Sequence, residues 1–468
     1  MAPSSDLPRV TYLPCANSPG AALTSLPSGR RKPRYRLAVS VLAACTMLVC
    51  VAYALAPYFP LGAVHAEEPI TLTFAGRYPE SAGNLAEGYR LFQQYIKEYE
   101  ELNPHIRFEY IAEAPGTSWV ETLLVRIAAF GMPDIVHLHH SWFSDFFYED
   151  AFQPIPQVLL SRLADALHPA TLMSTEVNGA NYGIPTEVQV SGLVYNRELL
   201  GQIGIASPPG AWGELVELAR RLPRTPEGTY QHLPLAVNGG GWGWAGNFLS
   251  LLSAEGGSML SPDGEIALNS AAVINVLANI GDWFGPQGFA SDNRSPFLTG
   301  EGYFGLGYPW WLGLLRSSGQ TDAHVTENFK VTLMPVGTVR RGAYLYGWSL
   351  FVAKDSPHAD EAWRFLEWLA LDRTGRSLTR LDELVGLALG SLPSHREDLA
   401  SPEFTGFGGF FQGFAANLDY AVTEPILPKG TQIQESIAQA VNSVIRMEQS
   451  PAEAAENLNR TVRALAGR

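Results

Sequence analysis

Beyond Cys50 this chain of 468 residues contains no cysteine; Cys15, Cys45 and Cys50 are its only three. The rest of the protein therefore has no thiol nucleophile, no cysteine metal site and no disulfide. Cations are scarce too. Lys and Arg number 32 against 46 Asp and Glu, a net charge of −14. Six of those cations (Arg9, Arg30, Arg31, Lys32, Arg34 and Arg36) precede residue 67, where Asp6 is the sole acid, so the remaining 402 residues carry −19. A body that acidic speaks against nucleic acid as a partner, because phosphate neutralisation needs clustered Lys and Arg. No Gly-x-Ser-x-Gly elbow occurs, which removes one common serine-hydrolase arrangement. After residue 67 there is no internal repeat and no low-complexity linker. What is present is globular material, 46% apolar and 17% charged, at a length that suits two or three domains.

Residues 1–36 form a basic segment rich in Pro, Ser and Gly, ending in Arg30-Arg31-Lys32-Pro33-Arg34-Tyr35-Arg36. Residues 37–56 follow without a charge, and Val64-His65-Ala66 offers small side chains before Glu67. A positive segment, an apolar run and a small-residue exit are the parts of an export signal, so 37–66 reads as a signal sequence or membrane anchor. The apolar run is just long enough to span a bilayer, and Leu42-Ala43-Ala44-Cys45 resembles a lipobox. Cleavage, lipidation and retention as an anchor all stay open. Cationic flanks stay cytoplasmic, which places the body in the periplasm or on the outer face of the cytoplasmic membrane.

The body alternates strand and helix patterns. Residues 70–76 read as a strand. Leu85, Tyr89, Phe92, Ile96, Tyr99 and Leu102 then recur at helical spacing until Asn103-Pro104. Ile106, Phe108 and Tyr110 alternate as a second strand, a helix through Trp119, Leu123 and Ile127 ends at Gly131, and 134–138 is a third strand. Strands separated by single helices predict parallel pairing and an α/β layered domain. A second α/β region is expected from about Gly183, with strands at 193–196, 233–237 and 344–353 and helices at 212–222, 271–283, 359–371, 431–445 and 451–465. Ligands in such sheets bind outside the carboxyl ends of strands. Arg77 and Glu80, after the first strand, and Ser141 and Trp142, after the third, are therefore candidates.

Tryptophan placement adds chemistry. Of 11 Trp, five (Trp119, Trp212, Trp283, Trp363 and Trp368) fit helical core patterns. Trp142, Trp242, Trp244, Trp310, Trp311 and Trp348 stand beside Gly, Pro or strand ends, where a large exposed ring is costly without a partner. Flat rings for C–H faces and fixed polar groups for hydroxyls are what a sugar requires. One member of each of the pairs Trp242/Trp244 and Trp310/Trp311 is expected to face the ligand.

Several segments resemble one family in order. Ala128-Ala129-Phe130-Gly131-Met132-Pro133-Asp134-Ile135-Val136 resembles the AAG-x-x-PD-V/I element of the family 1 extracellular solute-binding proteins, the sugar-binding components of ABC importers. Tyr182-Gly183-Ile184-Pro185 with Tyr195-Asn196-Arg197-Glu198-Leu199 resembles that family's YG-x-P and YN-K/R-D/E-L segment, and Trp212-Gly213-Glu214-Leu215 its TW-x-EL helix start. Here Ala211 replaces the capping Thr. Gly307-Tyr308-Pro309-Trp310, Met334-Pro335-Val336-Gly337 and Gly347-Trp348-Ser349-Leu350 continue the series.

The resemblance implies an α/β fold of the type II periplasmic binding protein kind: two α/β lobes, a ligand cleft and multiple hinge crossovers near 186–192, 341–346 and 390–394. Lobe one would take 67–187 and 346–390, and lobe two 188–345 and 391–468. Trp310 and Trp348 would stack on the ligand, Glu187 and Gln189 would meet it at the first crossover, and Phe411 would add a ring from a Gly-rich loop. The implied function is capture of a di- or oligosaccharide outside the membrane and delivery to ABC transporter permease subunits, by a monomer with no cofactor, metal or catalytic residue. Glycerol phosphate or a polyol is the alternative solute, and an exported carbohydrate-active enzyme the alternative class. An enzyme of that class needs two carboxyls about 5–10 Å apart; Glu80 and Glu187 carry no signature of it. His137 and His139 share a strand face and could hold a metal, but no second His-rich loop completes a site, so they are expected as strand-end polar residues near the cleft.

Overall fold

The computed structural model describes residues 69–80, 83–112, 118–384, 386 and 390–467. The basic segment 1–36, the export segment 37–66 and all three cysteines lie outside the described residues. Among the described residues no helix is long and apolar enough to cross a membrane.

The first strand, β1 (Ile70–Ala75), buries Leu72, Phe74 and Ala75. α1 (Gly83–Leu102) turns Phe92, Tyr95, Ile96 and Tyr99 inward and stops where Asn103 Nδ2 donates to the Tyr99 carbonyl at 2.9 Å. β2 (Ile106–Ile111) pairs with β1 in parallel. α2 (Trp119–Phe130) starts on a capping box of Ser118 and Glu121 and ends at Gly131, whose φ of 84° favours glycine. β3 (Ile135–His139) lies parallel to β1 on its other side. Asp134 ties the two strands together. Its Oδ2 accepts from Thr73 N at 2.8 Å and Thr73 Oγ1 at 2.7 Å, which explains why a carboxylate stands just before this strand.

α3 (His140–Phe147) follows β3 directly. β4 (Gly183–Val190), buried along its whole length, and β10 (Ala343–Val352) complete the sheet with the short β11 (Ala421–Val422). The order is β11-β10-β3-β1-β2, with β4 also paired to β10. β10 runs antiparallel to both β3 and β4, so the expectation of purely parallel pairing is corrected: the sheet is mixed. The expected second region starting at Gly183 is corrected as well, because β4 belongs to this first sheet. α8 (Ala359–Leu371) covers one face through Trp363, Phe365 and Leu366.

The second sheet begins with β5 (Gly192–Asn196) and adds β6 (Leu233–Ala236), β7 (Ala290–Ser291), β8 (Gly302–Gly307) and β9 (Phe329–Thr332), in the order β9-β5-β8-β6-β7. Its helices are α4 (Trp212–Arg221), α5 (Gly241–Ala254), α6 (Ala271–Phe284), α7 (Trp311–Ser317), α9 (Gly430–Ile445) and α10 (Pro451–Leu465). Trp212 stacks on Trp283 at 5.2 Å, joining α4 to α6. The chain passes between the sheets more than once. Ser191 N donates to the Tyr344 carbonyl at 2.9 Å and Leu392 N to the Val188 carbonyl at 3.0 Å, so three segments run side by side at the join. The result is two α/β lobes sharing one set of crossings.

Candidate functional site

β1 and β3 both end at the same edge of the first sheet, and β10 crosses beside them. Trp348 on β10 is opposite His139 on one side and Glu187 on the other. The register shifts between Trp348 and Ser349, a bulge that re-aims the indole. Gly347 is required there: a Cβ would lie 1.9 Å from the Glu187 carbonyl oxygen. Behind the ring, Arg77 sits with Cζ 4.1 Å from its centroid and Nε 3.1 Å from Glu187 Oε1. Tyr78 Oη donates to the same carboxylate oxygen at 3.1 Å. Burial pushes the Glu187 carboxyl up, while Arg77 and Tyr78 pull it back. The pair thus holds Trp348 from behind as a braced indole.

The opposite wall comes from the second sheet. Trp242, in the first turn of α5, is 36% exposed and lies 5.2 Å from the Tyr346 ring. Trp310 precedes α7; its Nε1 donates to Tyr346 Oη at 2.7 Å, and it stacks nearly parallel to Tyr308. Tyr344, Tyr346 and Trp348 share one face of β10 by strand alternation. Between these walls lies a cavity of about 450 Å³. Its lining brings together His139, Ser141, Trp142, Tyr346 and Trp348 with Trp242, and α9 contributes Thr431, Gln434 and Glu435. Trp142 meets Trp348 edge-on at 5.3 Å.

Polar groups are fixed around these rings. His139 Nδ1 is 2.8 Å from Ser141 Oγ, and His137 Nε2 is 2.8 Å from Thr186 Oγ1. Burial holds both imidazoles neutral, well below their ordinary pKa, with the Arg77 charge adding to the effect. Behind the cavity, Tyr344 Oη donates to Glu424 Oε1 at 2.8 Å and lies 3.0 Å from His140 Nε2, while Gln434 Nε2 donates to Glu424 at 2.8 Å. Fixed acceptors and donors beside flat rings can grip hydroxyl edges and apolar faces at once.

The candidate residues divide into three groups. Ser141, Trp142, Trp242 and Trp348 line the cavity. Arg77, Glu187 and Trp310 stand one layer behind it. The others do not line it. Trp244 is a core residue of α5 packed on Phe284, because the Gly-rich run before it opens a helix rather than a loop. Trp311 is fully buried against Phe297, and Phe411 packs among Phe404, Phe407 and Phe410. Gln189 is buried and donates to Ser391 Oγ, which fastens a crossing. Glu80 is exposed and does not line the cavity. Sequence reasoning missed Tyr346, which the alternation with Trp348 signals, and Gln434 and Glu435, which nothing in a helical pattern marks.

Among the described residues the one cluster with metal-ligand geometry is Asp382, His395 and Asp398, away from this cavity. Its carboxylates and His395 Nδ1 are engaged within the fold, whereas the buried His395 Nε2 finds no hydrogen-bond partner among the described residues. Asp382 accepts from Ser394 N at 3.0 Å and lies 2.8 Å from His395 Nδ1, and Asp398 accepts from Arg373 Nη1 at 2.6 Å.

Residues 82–375 match the model of the bacterial extracellular solute-binding protein family. Among curated proteins, the arabinooligosaccharide-binding protein of Halalkalibacterium halodurans is 21% identical over 381 residues, covering 75% of this chain and 77% of that one. Among solved structures, the sugar-binding protein MalE from Xanthomonas citri aligns with a TM-score of 0.70 at 20% identity, over 85% of this chain and 98% of its own. Maltose-bound MalE3 of T. maritima aligns at 0.65 and 21% identity, over 85% and 99%. At these identities the structural likeness is one of fold.

Proposed function

As this chain belongs to the bacterial extracellular solute-binding proteins, we propose that it captures a sugar, a di- or oligosaccharide, and delivers it to an ABC importer. The observation that carries this reading is the set of indoles facing one cavity from both sheets, Trp142 and Trp348 on one side and Trp242 on the other. Stacked rings on opposite walls suit the two apolar faces of a pyranose, and His139, Ser141 and Gln434 suit its hydroxyls. Arg77 and Glu187 neutralise each other behind Trp348, which leaves the lining without a dedicated anion receptor and favours a neutral sugar over glycerol phosphate.

The lobes divide as 67–187 with 346–390 and 188–345 with 391–468, and ligand contacts to both walls shift the population towards closure. No bond is broken and no cofactor takes part; the protein acts as a monomer outside the cytoplasmic membrane. Residues 37–66 act as a signal sequence or membrane anchor. The test is a thermal-shift and product-analysis screen of the purified chain against neutral saccharides, polyols and glycerol phosphate. A saccharide should raise the melting temperature and be recovered intact. Stabilisation by glycerol phosphate alone, or recovery of cleaved sugar, overturns the reading.

A further inference from the structure

The cavity lining carries one unmatched charge. Glu435 of α9 contributes to it, and among the described residues this exposed carboxylate has neither an ion pair nor a hydrogen bond. The other ionisable groups at the wall are accounted for: Arg77 matches Glu187, and burial holds His139 neutral. Arg294 lies over the Trp310 ring at 5.5 Å, and neither of the two lines the cavity. A Cβ on Gly241 would lie 3.9 Å from Glu435 Cγ, which sets the carboxylate beside the first turn of α5 and its Trp242. That helix end has no side-chain cap, and its dipole, equivalent to about half a positive charge, offsets only part of the carboxylate. Glu424, a layer deeper, accepts from Tyr344 and Gln434, with His140 Nε2 at 3.6 Å and no Lys or Arg partner among the described residues. The rings beside this negative charge are set at angles: Trp142 and Trp348 cross at 88°, Trp242 and Tyr346 at 49°. Such rings leave corners, and their negative faces attract an ammonium group within about 6 Å of the ring centroid.

We propose that the saccharide held here carries a protonated amine: it is an amino sugar with its amino group free, seated between Glu435 and the indoles. A neutral sugar leaves the Glu435 charge without a counterpart, whereas an ammonium group meets both the carboxylate and the ring faces. The order of preference is then cationic over neutral over anionic. N-acetylated sugars count with the neutral ones, since acetylation removes the charge. The inference rests on the sugar reading of the cavity and deepens it, and its test separates the two.

Isothermal titration of the full chain, in slightly acidic buffer so that amines keep their proton, compares matched sets. Glucosamine, galactosamine and mannosamine are set against glucose, galactose and mannose, and chitosan disaccharide against cellobiose and di-N-acetylchitobiose, beside maltose and arabinobiose. In at least one set the amine should bind about tenfold or more tightly than its neutral counterpart, and the ratio should shrink at high salt. Glu435→Gln, which keeps the shape of an exposed side chain, should bring that ratio towards one, and Glu435→Asp should keep part of it. Neutral saccharides that bind as tightly as every amine overturn the amino-sugar assignment and leave the sugar reading standing. A ratio that survives Glu435→Gln overturns the seat beside this carboxylate. Binding of choline or glycine betaine with no saccharide bound, or no binding at all, removes the sugar reading and the amine with it.

Discussion

Trp242 and Trp244 stand two positions apart on α5, which turns them about 200° from each other and gives them opposite tasks. Trp242 faces the cavity and Trp244 is 2% exposed in the core. Trp242→Ala should therefore weaken saccharide binding by about 1–3 kcal/mol, the scale of an aromatic contact, with little change in melting temperature. Trp244→Ala should instead lower folding stability by about 3–5 kcal/mol, as truncation of a core aromatic does. Titration calorimetry and denaturant melts on both variants check the contrast. His137 yields a prediction of a different kind. Its imidazole titrates well below the ordinary 6.5 because burial disfavours the cation. Below that pH the unfolded chain binds a proton that the folded chain refuses, so stability falls as pH drops. His137→Gln should therefore lose less stability than wild type as pH falls from 6.5 to 5, measured by urea unfolding at each pH.

At the scale of the element, α4 begins on Ala211, which supplies no side-chain acceptor. Trp212 N is met instead by the Val336 carbonyl at 3.0 Å, but the next amides of the first turn lack a cap. Ala211 has φ −123° and ψ 145°, extended geometry that serine adopts freely. Ala211→Ser should raise stability by about 1 kcal/mol, read as an upward shift of the urea midpoint at constant m-value. The same helix shows what a sequence makes legible. Its start, its apolar face through Leu215 and its missing cap all follow from local spacing, as do α1, α2, α6, α8 and the two terminal helices. α5 did not, because Gly239-Gly240-Gly241 reads as loop. Gly239 serves close approach instead, since a Cβ there would lie 2.8 Å from Asp292 Cβ, and Gly240, at φ 79°, takes the left-handed backbone that precedes the helix. β4 was illegible for a related reason. A strand buried on both faces loses the polar alternation that marks strands, and only its long-range pairing with β10 assigns it to the first sheet. The cavity lining was legible at Trp142, just after β3, and at Trp348, within β10. It was not where a long helix lent a glutamine.

At the scale of the whole body, the cavity is assembled from parts that no single sheet holds. Trp142 and Trp348 belong to the first sheet and the helix that follows it, Trp242 and Gln434 to elements packed on the second, and the three crossing segments link them. A ligand touching both groups binds best when they are near, so its binding energy favours the closed arrangement by the difference in affinity between the two states. Binding only to the folded chain also stabilises it, by about 2.7 kcal/mol when free sugar is one hundredfold above Kd. Most of the other indoles are packed in cores and should be silent. Intrinsic fluorescence should therefore change on sugar addition, and replacing Trp142, Trp242 and Trp348 together by Phe should remove most of the change while the remaining indoles still report unfolding. If the triple variant keeps the full response, the signal comes from the lobe interiors and the cavity indoles do not sense closure. If wild type shows thermal stabilisation without any fluorescence change, the sugar sits away from these rings altogether.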